Sequence, residues 1–267
     1  AWHRGIGGFL AHTYCAGGSS PRPITNQAPP SPHSSLGVNM QNQSNLWYES
    51  TPEIKLDDLV LHDSIRKQIQ SLRNEHHSNQ MLHEYSLRAR NMVLITGLSG
   101  NGKTLLAEAI AHELIYPIIR VRYENLMGSN AGETLRRFSD VLNYAKTGRF
   151  VLFLDAFETL GKKGSDPAAL LSLLDEVPDH VVIVAATGHP ERLDRAAWRR
   201  FQVKVHLPAP TQAQKIEYIA SIGRRCGVDF GNVPPKQFDG LSFAETEQLC
   251  LDVVRRKILS PKSGDGL

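Results

Sequence analysis

The chain has 267 residues, 41% of them hydrophobic and 21% charged, with a net charge of +3. These values fit a globular protein with a real core and exclude a low-complexity or strongly charged chain. The charge is too small to argue by itself for nucleic acid or an anionic membrane, and no run approaches the roughly 18 apolar residues of a membrane span. Cys15, Cys226 and Cys250 lie far apart, without metal-ligand spacing or a disulfide framework, which predicts a reducing compartment, the cytoplasm. The first residue is Ala1 rather than Met, which predicts a fragment or a processed product.

Residues 1–50 are rich in Gly, Pro, Ser, Asn and Gln and lack apolar periodicity, so a linker or disordered arm is predicted there. Trp2, Trp47 and Tyr48 read as part of that tail rather than as docking anchors, and the Asn42-Gln43-Ser44 sequon reads as chance. Asp63–Glu84 is a polar helical stretch. Within it Glu75, His76 and His77 read as a solvated face rather than a metal site, because no paired ligand stands at useful spacing. Five short, apolar, β-branched runs follow: Met92–Thr96, Pro117–Arg122, Phe150–Leu154, Val181–Ala186 and Val203–Leu207. Runs of this kind suit strands covered on both faces. Helical patterns at Thr104–Leu114, Glu133–Ala145 and Pro167–Leu174 separate them, which predicts a parallel sheet flanked by helices over residues 51–210. Residues 211–267 read as a helical subdomain, with Thr211–Cys226 capped by Thr211 and Ser242–Ile258 opened by a Ser242/Glu245 capping box.

Gly97-Leu98-Ser99-Gly100-Asn101-Gly102-Lys103-Thr104 fits the phosphate-binding pattern G-x-x-x-x-G-K-[ST], between a predicted strand and a predicted helix. Glycines let backbone N–H groups curl around a phosphate, and the helix N-terminus adds a positive dipole. Lys103 is expected at the β- and γ-phosphates and the Thr104 hydroxyl on Mg²⁺. Asp155 ends the run Phe150–Leu154 and supplies the second, acidic requirement of such a site, holding magnesium through its water shell.

These two motifs and four further stretches resemble the AAA+ ATPases, and within them the spastin- and katanin-like branch. Leu56-Asp57-Asp58-Leu59-Val60 is similar to the segment that lines the adenine pocket. Val182–Pro190 resembles the strand bearing the first sensor, Leu193–Phe201 the segment bearing arginine fingers, and Gly240–Glu245 the start of the lid helix. The resemblance runs over residues 52–260. It implies an αβα P-loop sandwich with a five-stranded parallel sheet in the order 5-1-4-3-2, followed by a helical lid. It also implies ATP and Mg²⁺ as ligands, with the nucleotide held by residues 97–104 together with Leu105, Asp58, Val60, Gly240 and Ala244. Arg199 and Arg200 match the finger pair, which acts on a neighbour's nucleotide, so a ring of identical subunits, most often a hexamer, is implied, working on a protein partner.

The sequence departs from that family at three functional positions. The glutamate that orients the attacking water is Ala156, although Glu158 stands two residues on. The first-sensor asparagine is Gly188, which has no side chain to offer. The aromatic tripeptide of the pore loop aligns with Asn130-Ala131-Gly132, which offers far less contact area. Gly161–Asp166 is also short for a second pore loop. Two further functions therefore stay open beside the remodelling ATPase: an ATP-gated assembly module with little turnover, and a DNA-associated helper. For the latter, Lys162-Lys163 and Arg255-Arg256-Lys257 are basic but lack interleaved aromatics and read as surface charge. Ser35, Ser99 and Cys250 fit no nucleophile logic.

Overall fold

The computed structural model describes residues 45–161, 166–231 and 238–259. The sequon, Trp2, Cys15, Ser35 and the Lys162-Lys163 pair lie outside these residues. In chain order the described elements are strand β1 (Trp47–Ser50), helices α1 (Asp63–His77) and α2 (Asn79–Glu84), β2 (Met92–Gly97), α3 (Lys103–Leu114), β3 (Ile118–Val121), α4 (Tyr123–Leu126), α5 (Ala131–Ala145), β4 (Val151–Leu154), α6 (Pro167–Asp175), β5 (Val182–Thr187), α7 (Arg195–Arg200), β6 (Val203–Leu207), α8 (Gln212–Cys226) and α9 (Phe243–Leu259).

The sheet has six strands in the order β1-β3-β4-β5-β2-β6. Strands β3, β4, β5, β2 and β6 are parallel to one another. Taken as the five predicted runs, they reproduce the expected order 5-1-4-3-2. β2 and β5 are buried along their whole length, as strands covered on both faces must be. One face packs against α5 and α6 through Leu94, Phe138, Leu142, Leu152 and Leu170. The other packs against α1 and α3 through Ile69, Leu72, Ile95, Leu106 and Ile110.

Two expectations need correction. The sixth strand, β1, runs antiparallel to β3, pairing Trp47 with Val121 and Ser50 with Ile118, inside the stretch expected to be a linker arm. Trp47 is 7% exposed and its ring lies 5.1 Å from that of Tyr144. Four residues are too short to show an alternation, and the strand forms because one indole finds a covered site. The expected solvated face at Glu75–His77 holds for His77, which is exposed, but not for His76. His76 is buried, its Nε2 lies 2.8 Å from the Arg90 carbonyl oxygen, and Arg90 forms an ion pair with Glu75. Burial holds the His76 pKa below its ordinary value.

Helix caps follow the sequence closely. Thr211 and Gln214 close a capping box on α8, and Gly227, at φ 64°, ends that helix in the left-handed conformation. Ser242 and Glu245 exchange bonds ahead of α9. The lid core is small: Ile219, Ile222, Phe238 and Cys250. Lys215 crosses it to donate to the Phe238 carbonyl.

Replacing Trp47 by Ala is expected to cost about 3 kcal/mol, the scale for truncating a buried aromatic, measured by urea unfolding. A residue of a loose tail would give no shift.

Candidate nucleotide site

The site forms where β2 ends beneath the sheet's C-terminal edge. Gly97 passes so close to β6 that a Cβ there would meet the Leu207 carbonyl oxygen at 2.4 Å. The loop then turns through Gly100 (φ 78°) and Gly102 (φ 87°), conformations that favour glycine, and delivers Lys103 as the first residue of α3. Asn101 is buried and anchors the loop by donating to the Pro208 carbonyl, at 3.3 Å. Leu98, Ser99, Thr104 and Leu105 are exposed along the loop's outer side.

The Lys103 ammonium donates to the carbonyls of Gly97 (2.8 Å) and Leu98 (3.0 Å). Partial burial lowers its pKa, against the opposing pull of the Asp155 and Glu158 carboxylates. The Thr104 hydroxyl donates to Asp155 Oδ2 at 3.4 Å, and Asp155 Oδ1 accepts from the Ala156 N–H at 2.9 Å. Only β5 separates β2 from β4, which brings this hydroxyl and this carboxylate together. A solvent-accessible pair of hard oxygen donors beside a lysine is a chemically suitable set for Mg²⁺ and phosphate.

The other predicted residues fall into two groups. The lid reaches the loop directly: the Ala244 N–H donates to the Gly100 carbonyl at 3.1 Å, and the Ser242 hydroxyl lies against Gly100. Gly240, at φ 75°, turns the chain just before that contact. On the far side, Leu56–Asp58 forms a single 3-10 turn whose Leu56 packs in the α3 core. Arg66 braces it by donating to the Leu56 and Leu59 carbonyls at 3.0 and 2.6 Å. Asp58 spends its carboxylate on the Lys55 N–H, 2.8 Å away, and Val60 is half-buried; neither is bonded to the phosphate loop.

The two arginines differ. Arg200 donates through Nε to both oxygens of Asp175 (2.9 and 3.0 Å) and through a terminal nitrogen to the Ala196 carbonyl. Arg199 is exposed and makes no side-chain bond or ion pair among the described residues. The departures also gain local explanations. Asn130 caps α5, its side chain accepting from the Glu133 N–H at 2.9 Å. Ala156 adopts φ 46°, a left-handed turn that ends β4. Gly188 sits beside Gly97, and a Cβ there would meet nothing closer than 3.9 Å, so the position has room for a side chain it does not carry.

A family profile described as "ATPase family associated with various cellular activities (AAA)" matches residues 93–209. A Sinorhizobium fredii protein described as "Uncharacterized AAA family ATPase y4kL" is 30% identical over 226 residues, covering 78% of this chain and 66% of its own length. The chain belongs to the AAA ATPase family. The "Proteasome-activating nucleotidase" of Pyrococcus furiosus is 29% identical, covering 67% of this chain and 50% of its own length. The solved "FIGL-1 AAA domain in complex with ADP" aligns with a TM-score of 0.67 at 20% identity, covering 84% of this chain and 81% of that one; this likeness supports the fold. The chain spans about half to two thirds of the length of the first curated relatives it matches.

Tyr123 escaped the sequence reading. Its phenol is buried beside Asp155 and Glu158, and burial first, then those two carboxylates, push its pKa well above the usual value. A tyrosine just past a predicted strand carries no motif, and only the adjacency of β3 and β4 reveals it.

Gly100→Ala is expected to weaken nucleotide binding at least about tenfold while leaving the fold intact. The added methyl meets Ser242 and strains a left-handed backbone. Fluorescent-nucleotide titration alongside thermal unfolding checks both parts.

Proposed function

We propose that this chain binds ATP with magnesium at the loop formed by residues 97–104 and hydrolyses it at the interface between like subunits. The observation that carries the reading is the convergence of Lys103, Thr104 and Asp155 at the end of a sheet built in the AAA order. Lys103 would leave the Gly97 and Leu98 carbonyls for the β- and γ-phosphates, exchanging neutral acceptors for charged ones. Backbone N–H groups of the loop and the α3 N-terminus would hold the remaining phosphate oxygens. Thr104 would ligate magnesium directly and Asp155 through bound water. The metal, when bound, would neutralise charge on the β- and γ-phosphates. Asp58, Val60, Gly240, Ala244 and Leu105 would surround the base and ribose.

Arg199 is the better candidate to act in trans. It lies exposed on α7 without a partner among the described residues, whereas Arg200 would first have to exchange Asp175 for a phosphate. A positive charge placed on the neighbour's γ-phosphate stabilises the transferring group. That role requires an oligomer, and a closed ring such as a hexamer satisfies it for every subunit. Several relatives are named for the proteasome, and remodelling of a protein partner is the corresponding work here. The free thiols of Cys226 and Cys250 suit a reducing cytoplasm.

A second reading has its own observations. Asn130 is committed to capping α5, and Ala156 and Gly188 offer no polar side chain. These favour a module in which ATP binding drives assembly and turnover is slow. DNA association has less support: Arg255 pairs with Asp252 at the end of α9, so the basic cluster there is partly neutralised.

Lys103→Ala is expected to weaken ATP binding by about ten- to a hundredfold, the scale of one charged hydrogen-bonding group, read by isothermal titration; unchanged affinity would remove the site assignment. Arg199→Ala is expected to leave affinity in the dilute monomer unchanged and to lower turnover of the assembled form. A loss of monomer affinity instead would place Arg199 in its own subunit's site.

A further inference from the structure

Just past the ends of β3 and β4 the structure holds three buried polar atoms with no hydrogen-bond partner among the described residues: the Tyr123 hydroxyl, Glu158 Oε2 and the Thr159 hydroxyl. Their grouping follows from topology. Tyr123 opens α4 directly after β3, Glu158 and Thr159 lie in the 3-10 turn Phe157–Gly161 directly after β4, and β3 and β4 are parallel neighbours. Both segments therefore leave the sheet at the same edge as the phosphate loop. Asp155 and Glu158 both act electrostatically on the Tyr123 phenol and on the Lys103 ammonium. Leaving a buried polar group unpaired is costly, and three such groups at the ends of neighbouring strands call for a function.

The local backbone explains how a carboxylate two residues late arrives there. Ala156, at φ 46°, breaks the strand's alternation, and its carbonyl accepts from the Thr159 N–H at 2.8 Å, closing a tight turn. Phe157 then anchors in the core against Phe201, with ring centroids 5.4 Å apart. The next residue, Glu158, is held between that anchor and Leu160, which is also buried. A short, anchored turn restricts the carboxylate far more than an open loop does.

We propose that Glu158 supplies the carboxylate that Ala156 lacks, with the Tyr123 hydroxyl as the positioning group that orients the attacking water. The proposal rests on the reading of the site as an ATP hydrolase. In the step, the water oxygen forms a bond to the γ-phosphorus as the bond from that phosphorus to the β–γ bridging oxygen breaks. The water's proton passes to the Glu158 carboxylate, and ADP and inorganic phosphate leave. No other reactant is required. Glu158 also forms part of the wall of a cavity of about 210 Å³ with Phe157, Leu160, Leu170 and Leu193, and a purely structural role there is the competing assignment.

The test uses the full chain with Mg-ATP and three variants: Glu158→Gln, Tyr123→Phe, and Ala156→Glu combined with Glu158→Gln. Nucleotide affinity is read by displacement of a fluorescent ADP, turnover by phosphate release, and the lifetime of the ATP-assembled oligomer by sedimentation. All three variants are expected to bind nucleotide within about twofold of the parent. Glu158→Gln is expected to lose about 10²–10⁴-fold in kcat, the range of general-base assistance, and its ATP-assembled oligomer to outlive the parent's. Tyr123→Phe is expected to lower kcat about tenfold, the worth of one hydrogen bond to a reacting group, with KM unchanged. The combined variant is expected to regain turnover, because a carboxylate at residue 156 restores the missing function. The proposal is overturned if Glu158→Gln turns over like the parent, or if the combined variant stays inactive while binding normally. It is also overturned if the parent binds ATP without turnover while the combined variant turns over. A parent that fails to bind nucleotide overturns the site assignment itself, and affinity, measured separately, tells the two failures apart.

Discussion

The close passage of Gly97 beneath β6 is the constraint on which the site depends. With 2.4 Å between the Leu207 carbonyl oxygen and where a Cβ would sit, the end of β2 is pinned to its neighbour before the phosphate loop begins. The loop therefore starts from a fixed point, and α3 departs in a fixed direction. Asn101 ties the middle of the loop to Pro208, on the chain just past the same strand. With the start and the middle of the turn held, Lys103 and Thr104 emerge above the sheet's edge. The parallel order then brings Asp155 to within 3.4 Å of the Thr104 hydroxyl. Mispairing β2 and β6 by one residue would move the lysine, the hydroxyl and the lid contact together.

The lid adds a second constraint. The Ala244 N–H donates to the Gly100 carbonyl of the phosphate loop, and the first turn of α9 is stiffened by the Ser242–Glu245 exchange. A rigid helix end resting on a glycine loop couples lid position to loop geometry. The lid's own core, of Ile219, Ile222, Phe238 and Cys250, is small.

Most of the sheet was legible in the sequence because its strands are buried on both faces, and continuous apolar runs survive in composition. The phosphate loop was legible because its chemistry demands glycine, lysine and a hydroxyl at fixed spacing. β1 was not, because an edge strand of four residues that holds its place through Trp47 shows no period. His76 was misread for a related reason: a buried histidine bonded to the Arg90 carbonyl looks, in one dimension, like any polar residue of a helix. The difference between Arg199 and Arg200 was invisible because it depends on Asp175, a residue 25 positions away. Tyr123 was missed because its partners come from β4, and only strand adjacency relates them.

The three departures from the AAA pattern become coherent when each is traced to what its backbone does. Asn130 gives up contact area and gains a helix cap, worth about 1 kcal/mol, so the change exchanges a surface function for local stability. Gly188 gives up a polar group and leaves room that nothing fills. Ala156 differs from both, because its left-handed backbone costs on the order of 1–2 kcal/mol for a non-glycine residue. A strained residue at the end of a catalytic strand persists only when its surroundings determine it. Here the turn it creates seats Phe157 in the core and holds Glu158 in the 3-10 turn directly after β4. The loss of one carboxylate and the strained turn that holds another are therefore one structural change, and the side chain missing at residue 156 has to be weighed against the one constrained at residue 158.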